Sequence, residues 1–151
     1  MREIYEDSTI ESYYFYAKMQ SCRYHGNQIT NMSSKGSYEI RPNIRFDSEA
    51  VQKDMIRILN DFFSTHDLYD ASRSESWTRQ VIELIAEYLQ TRQDTVRYKF
   101  IIQVVVAEER GAGLNMTSRC SWDLDSDALA TASFNNHSLV CVASLFAIYH
   151  Y

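Results

Sequence analysis

A chain of 151 residues has room for one domain, and its 45% hydrophobic content is ordinary for a packed globular core. The net charge of -5 and pI near 5.3, with no basic run, exclude a nucleic-acid surface, which needs clustered Lys and Arg. No apolar run approaches the roughly 20 residues that span a bilayer. Glu3, Glu6 and Asp7 stand where a signal peptide needs an apolar stretch, so we expect a soluble, cytosolic protein.

The first 38 residues read as an N-terminal extension. They hold Tyr5, Tyr13, Tyr14, Tyr16, Tyr24 and Tyr38 without a sustained period of 2 or 3.6, and close on a polar, turn-prone passage from Gly26 to Gly36. A disordered tail is usually poorer in aromatics. Two readings stay open: a segment that is loose alone and docks on a partner, since Tyr supplies contact area at low entropic cost, or a solubilising tail.

Arg41-Pro42-Asn43 is extended by its proline. The spacing of Val51, Met55, Ile58, Leu59, Phe62 and Phe63 predicts an amphipathic helix, opening near Asp47-Ser48-Glu49 and ending around Ser64 to His66. A second helix is expected from Ser72 to Ser74, with Ser72 and Glu75 spaced for a capping box. Its stripe is Trp77, Val81, Leu84, Ile85, Tyr88 and Leu89, closing between Gln90 and Asp94.

From Arg97 the period becomes 2. Phe100, Ile102, Val104 and Val106 alternate with Ile101, Gln103, Val105 and Ala107, so both faces of this strand are largely apolar and need cover. After a turn at Glu108 to Gly113, a second strand is expected over Leu114 to Trp122. A third, of small residues, runs from Ala128 to Phe134, and Asn135-Asn136-His137 makes a hairpin to a fourth, Ser138 to Tyr149. The expected fold is α+β, with two helices packed on one face of a four-stranded antiparallel sheet.

Candidate chemistry fails on spacing. Asp123, Asp125 and Asp127 alternate like the start of a calcium loop, but the Gly and Glu that an EF-hand requires do not follow; an Asp-rich turn fits better. Gly111-Ala112-Gly113 lacks the Lys of a phosphate loop. His137 and Cys141 are close in sequence, yet Cys141 lies in an apolar strand where burial quiets a thiol. Cys22, Cys120 and Cys141 form neither a disulfide framework nor a zinc knuckle, and His25, His66, His137 and His150 are scattered. We expect no catalytic residue, no cofactor and no metal.

The C-terminal portion resembles the Tctex-type dynein light chains over about residues 41 to 151. The resemblance rests on ordered motifs: Arg97-Tyr98-Lys99-Phe100-Ile101-Ile102-Gln103-Val104-Val105-Val106, then Gly111-Ala112-Gly113, then Ser118-Arg119-Cys120-Ser121-Trp122-Asp123. Ala132-Ser133-Phe134-Asn135-Asn136 and the run from Leu139 to Tyr149 complete it. Arg97-Tyr98-Lys99, Arg119-Cys120-x-Trp122-Asp123 and the extension are closer to the Tctex-two, axonemal branch. The resemblance implies an N-terminal extension over 1–38 and a light-chain domain over 39–151. It also implies a dimer formed by exchange of a strand, with a copy of itself or a related Tctex-type chain, mounted on dynein intermediate chains.

An open sheet edge is a template for another chain, and exchange of an identical element is a low-cost route to a dimer. The expected exchanged strand is Leu114 to Trp122, swung on the Gly111 to Gly113 hinge, with Leu114, Met116, Thr117, Ser118, Arg119, Cys120 and Trp122 as dimer or partner contacts; pairing of that strand within its own chain is the competing reading. The implied role is a non-catalytic light chain of a larger dynein complex, of axonemal outer-arm type, in the cytoplasm or cytoskeleton of a cilium or flagellum, with no nucleic acid and no membrane as partner. A free-standing dimeric adaptor for cargo or signalling peptides is the alternative.

Overall fold

The computed structural model describes residues 45–95, 97–111, 116 and 122–150 in full and residues 13–21 by their backbone. In chain order the elements are β1 (Tyr13–Ser21), α1 (Ser48–Phe63), α2 (Ala71–Gln90), β2 (Tyr98–Glu108), β3 (Ala128–Asn135) and β4 (Leu139–Tyr149). The helices lie on one face of an antiparallel sheet, α1 over β3 and α2 over β2 and β1.

Helix α1 starts where the sequence predicts. The Asp47 carboxylate accepts the Ala50 amide at 3.0 Å, satisfying one of the donors that a helix start leaves unpaired. Val51, Met55, Leu59 and Phe63, one per turn, are fully buried. Each contributes about 1.5–3 kcal/mol by leaving water.

Helix α2 departs from expectation at its start. Asp70, not Ser72, is the cap: its carboxylate accepts both the Ser72 amide at 2.9 Å and the Ser72 hydroxyl at 2.6 Å. The Ser72 hydroxyl bond, followed by the amide bond, pulls the Asp70 carboxyl below its usual range. A carboxylate is a stronger acceptor than a hydroxyl, so it takes the cap and Ser72 becomes its donor. Glu75 turns instead to Arg79 at 2.8 Å on the surface. The buried stripe also rotates. Ser74, Trp77, Thr78, Val81, Ile82, Ile85, Ala86 and Leu89 are inside, while Leu84 is 39% exposed.

Strands β2, β3 and β4 are the three expected from alternation around residues 97–107, 128–134 and 138–149. Of the remaining expected strand, only Met116 and Trp122 are described. The edge of β2 away from β4 carries residues 13–21, giving the sheet order β1-β2-β4-β3. This segment comes from the stretch read as a tail. It aligns in nine-residue register with β2, from Tyr13 opposite Ala107 to Ser21 opposite Lys99.

The helix-facing side of the sheet is graded by size. Phe100, Ile102, Val104 and Val106 of β2 meet Ala147, Leu145, Ala143 and Cys141 of β4, which in turn meet Ala128, Ala130, Ala132 and Phe134 of β3. The alanines let α1 approach β3 closely. Asn136 forms the expected hairpin, its side-chain oxygen accepting the amides of Ser138 at 2.9 Å and Leu139 at 2.8 Å.

A polar chain ties the helices together at the far end of α2. Arg92 holds Asp94 bidentately, at 2.8 Å through Nε and 2.6 Å through Nη2, and donates to the Tyr88 hydroxyl at 2.8 Å. Tyr88 donates to Asp54 of α1 at 2.6 Å, and Asp94 accepts the Asp47 amide at 3.3 Å. Burial opposes ionisation of Asp94, but the Arg92 guanidinium and the Asp47 amide outweigh it and hold the carboxyl below its usual range.

The folded state therefore favours the carboxylate. Its contribution is complete above the ordinary aspartate value of about 3.9 and is lost as pH falls through and below it. Asp94→Asn should cost about 1–2 kcal/mol at neutral pH. Urea midpoints measured at pH 7 and pH 3 should show the difference from the wild type shrinking at the lower pH.

Candidate partner-binding surface

The sheet has a second face, away from the helices. Its rows across β2, β4 and β3 are Ile101-Phe146-Leu129, Gln103-Ser144-Thr131, Val105-Val142-Ser133 and Ala107-Val140-Asn135, with Lys99 beside Ile148. Among the described residues no helix covers this face. It is nevertheless apolar at its centre: Val105, Ala107 and Ser144 are buried, Ile101, Val140, Val142 and Phe146 are half-buried, Leu129 is 36% exposed and Ile148 is 39% exposed. In a half-covered antiparallel sheet the open side is ordinarily polar. Apolar rows there make this face a candidate contact surface.

Alternation makes most of this surface visible in the sequence: both faces of Phe100 to Ala107 read as apolar, and the alternate positions Val140, Val142, Phe146 and Ile148 of the last strand are apolar too. Leu129 escaped notice because it sits in a run of small residues. Of the proposed contact residues, Met116 is half-buried and Trp122 is 38% exposed at the entry to the turn before β3. Leu114, Thr117, Ser118, Arg119 and Cys120 lie outside the described residues, as do Ala112, Gly113 and the two cysteines other than Cys141. Gly111 has φ +78°, a left-handed conformation suited to glycine, and its amide is held by the Glu109 carboxylate at 2.7 Å.

The three aspartates form the expected turn. Asp123 accepts the amide of Asp125 at 3.0 Å and the hydroxyl of Ser126 at 3.0 Å. Asp127 accepts the amides of Asp123 at 2.9 Å and Tyr149 at 2.8 Å, pinning the turn to the end of β4. These oxygens face amides, which is turn chemistry and not cation chemistry. No cluster of three metal-binding side chains occurs among the described residues. Nor, among them, is any helix long and apolar enough to cross a membrane.

Cys141 points into the core between Val106 and Phe134, and burial pushes its thiol up to about 12. His137 is exposed in the hairpin. The pair considered for nucleophilic chemistry is thus split between core and solvent. Iodoacetamide at pH 8, read by peptide mass mapping, should leave Cys141 unmodified in native protein and label it fully in urea; native labelling would contradict this packing.

A family model described as Tctex-1 family matches residues 45–148. The Dynein light chain Tctex-type protein 2B of Mus musculus is 31% identical over 119 residues, covering 78% of this chain and 81% of that protein. The like-named protein of Danio rerio is 54% identical over 55 residues, a stretch that spans 36% of this chain and only 37% of that relative. Dynein light chain Tctex-type of Drosophila melanogaster is 27% identical over 107 residues, 69% of this chain and 95% of that protein. Both the Mus musculus and the Danio rerio relative are named as type 2B. With the family pattern running through both helices and β2 to β4, the chain belongs to the Tctex-1 family of Tctex-type dynein light chains.

Proposed function

We propose that this chain is a non-catalytic light chain of a dynein motor complex. It pairs with a second copy or a related Tctex-type chain through strand exchange, and the pair binds extended segments of dynein intermediate chains. The observation that carries the reading is the apolar sheet face of Ile101, Leu129, Val142, Phe146 and Ile148, which the chain's own helices leave open. Family membership supports the motor context. The Tctex-two features support the finer address: an outer-arm subunit in the axoneme of a cilium or flagellum, contributing to assembly and motility. The light-chain domain covers residues 39–151, and Leu114 to Trp122 is the exchanged strand.

Nothing in the described side chains favours chemistry over binding: the buried thiol is silenced and the aspartates are engaged in a turn. β-augmentation supplies affinity through main-chain bonds and selectivity through alternate side chains. Two measurements test the proposal. Light scattering on the purified chain should give twice the monomer mass, and immobilised N-terminal segments of dynein intermediate chains should retain it. A stable monomer at micromolar concentration with no retention would overturn the reading. Fractionation should place the protein with salt-extracted axonemal dynein; recovery only with cytoplasmic vesicles would favour the free-standing adaptor.

A further inference from the structure

We propose that β1 is a built-in competitor for strand addition: in the single chain, residues 13–21 hold the β2 edge that a strand from a second copy takes in the dimer. The inference rests on the self-pairing reading above. Its first support is position. β1 is the terminal strand of the sheet and pairs with β2 alone, over nine residues that leave only Tyr98 and Glu108 of β2 outside the register. A second support is tethering. Residues 22–47 separate β1 from α1, a length of chain that lets β1 leave without pulling on α1, while α2, which lies over both β1 and β2, keeps its packing on β2.

The third support is sequence at the register positions. Tyr14, Tyr16, Lys18 and Gln20 stand opposite Val106, Val104, Ile102 and Phe100, the fully buried row of β2. A permanent core strand would carry apolar residues at all four, as β2 itself does. Lys18 and Gln20 make β1 a poor match for half of that row. The segment Leu114 to Trp122 is as long as β1, and its alternating set of Leu114, Met116, Ser118, Cys120 and Trp122 is the more apolar. A second copy therefore offers a better strand for the same edge, and β1 occupies the edge until concentration favours the pair. Self-association is weakened by the fraction of chains in which β1 is docked. Docking also hides an edge that would otherwise invite promiscuous pairing.

Sedimentation velocity from nanomolar to about 100 µM tests this on the full chain and two variants. One lacks residues 2–21. The other, Tyr16→Pro with Ala17→Pro, keeps the segment but removes adjacent amide donors, one of which belongs to the β1–β2 ladder whichever way the strand is phased. Far-ultraviolet circular dichroism checks that the helices are retained. Both variants should dimerise at least about tenfold more tightly than the full chain, and a peptide of residues 13–21 should return the deletion variant toward monomer. Hydrogen exchange on the full chain should show the alternate amides of 99–107 that face β1 protected at monomeric concentration and exposed in the proline variant, while those bonded to β4 stay protected in both.

Equal dimer constants for all three proteins would overturn the competitor role. Weaker dimers in the variants would make β1 a constituent of the interface, and would overturn it as well. If the full chain and both variants stay monomeric throughout, the self-pairing reading itself fails. Dimers of equal strength leave that reading standing while removing this one.

Discussion

Replacing Trp77 with alanine is expected to cost about 3–5 kcal/mol, read as a fall in the urea midpoint with an unchanged slope. The indole is 2% exposed and packs edge-on against Phe63, with ring centroids 6.3 Å apart, and against His66 at 5.2 Å. The Arg73 guanidinium lies 5.4 Å above it. Alanine leaves a cavity lined by rings that cannot collapse inward, because Phe63 is itself pinned by Phe62 and Phe134. A domain of this size has about 5–15 kcal/mol in total, so the variant sits near unfolding. Trp77→Phe separates volume from polarity. The indole N–H is buried with no acceptor among the described residues. Phenylalanine removes that orphan donor while keeping most of the packing, and its cost should be less than half that of alanine.

The second large effect is on association and should leave the fold alone. Leu129 and Ile148 are 36% and 39% exposed on the open sheet face, so a glutamate at either keeps its hydration in the single chain. Across an interface formed by that face, each carboxylate would be desolvated without a partner, at a cost of about 2 kcal/mol or more. Leu129→Glu and Ile148→Glu together should raise the dimer dissociation constant by at least about a hundredfold, with thermal midpoints close to wild type. Light scattering across a dilution series measures the first quantity and circular dichroism the second. An unchanged dissociation constant would move the interface off this face.

Legibility in the sequence followed the physics that fixes each element. Helix α1 was plain because a single stripe, Val51 to Phe63, is preceded by an aspartate that can only act as an acceptor. Helix α2 was harder. Ser72 and Ser74 both suit a helix start, and the true cap, Asp70, sits just before them. Its buried face is turned from the expected stripe, with Ser74, Thr78, Ile82 and Ala86 inside and Leu84 outward, because α2 lies over β2 and β1 and also meets α1. β2 and β4 were legible from alternation, and so was most of the open face. β1 was not, because an edge strand is held by main-chain bonds to a partner some eighty residues away, and that partnership leaves no period in its own sequence. The family resemblance carried what periodicity could not, from ordered motifs between Tyr98 and Tyr149.

The far edge of the sheet has its own consequence. Helix α1 lies over β3, and the Gln52 side chain donates to the Thr131 carbonyl at 2.8 Å, in the middle of that strand. Edge-to-edge addition that runs through a molecule needs two receptive edges, one to accept and one to pass the ladder on; that is how fibres grow. Here Gln52 takes up a main-chain acceptor in the middle of β3, so a strand adding at that end would have to displace it, whereas the opposite end of the sheet is β1, held by main-chain pairing to β2. The two ends of the sheet are therefore unequal, and that inequality disfavours a ladder running on from molecule to molecule.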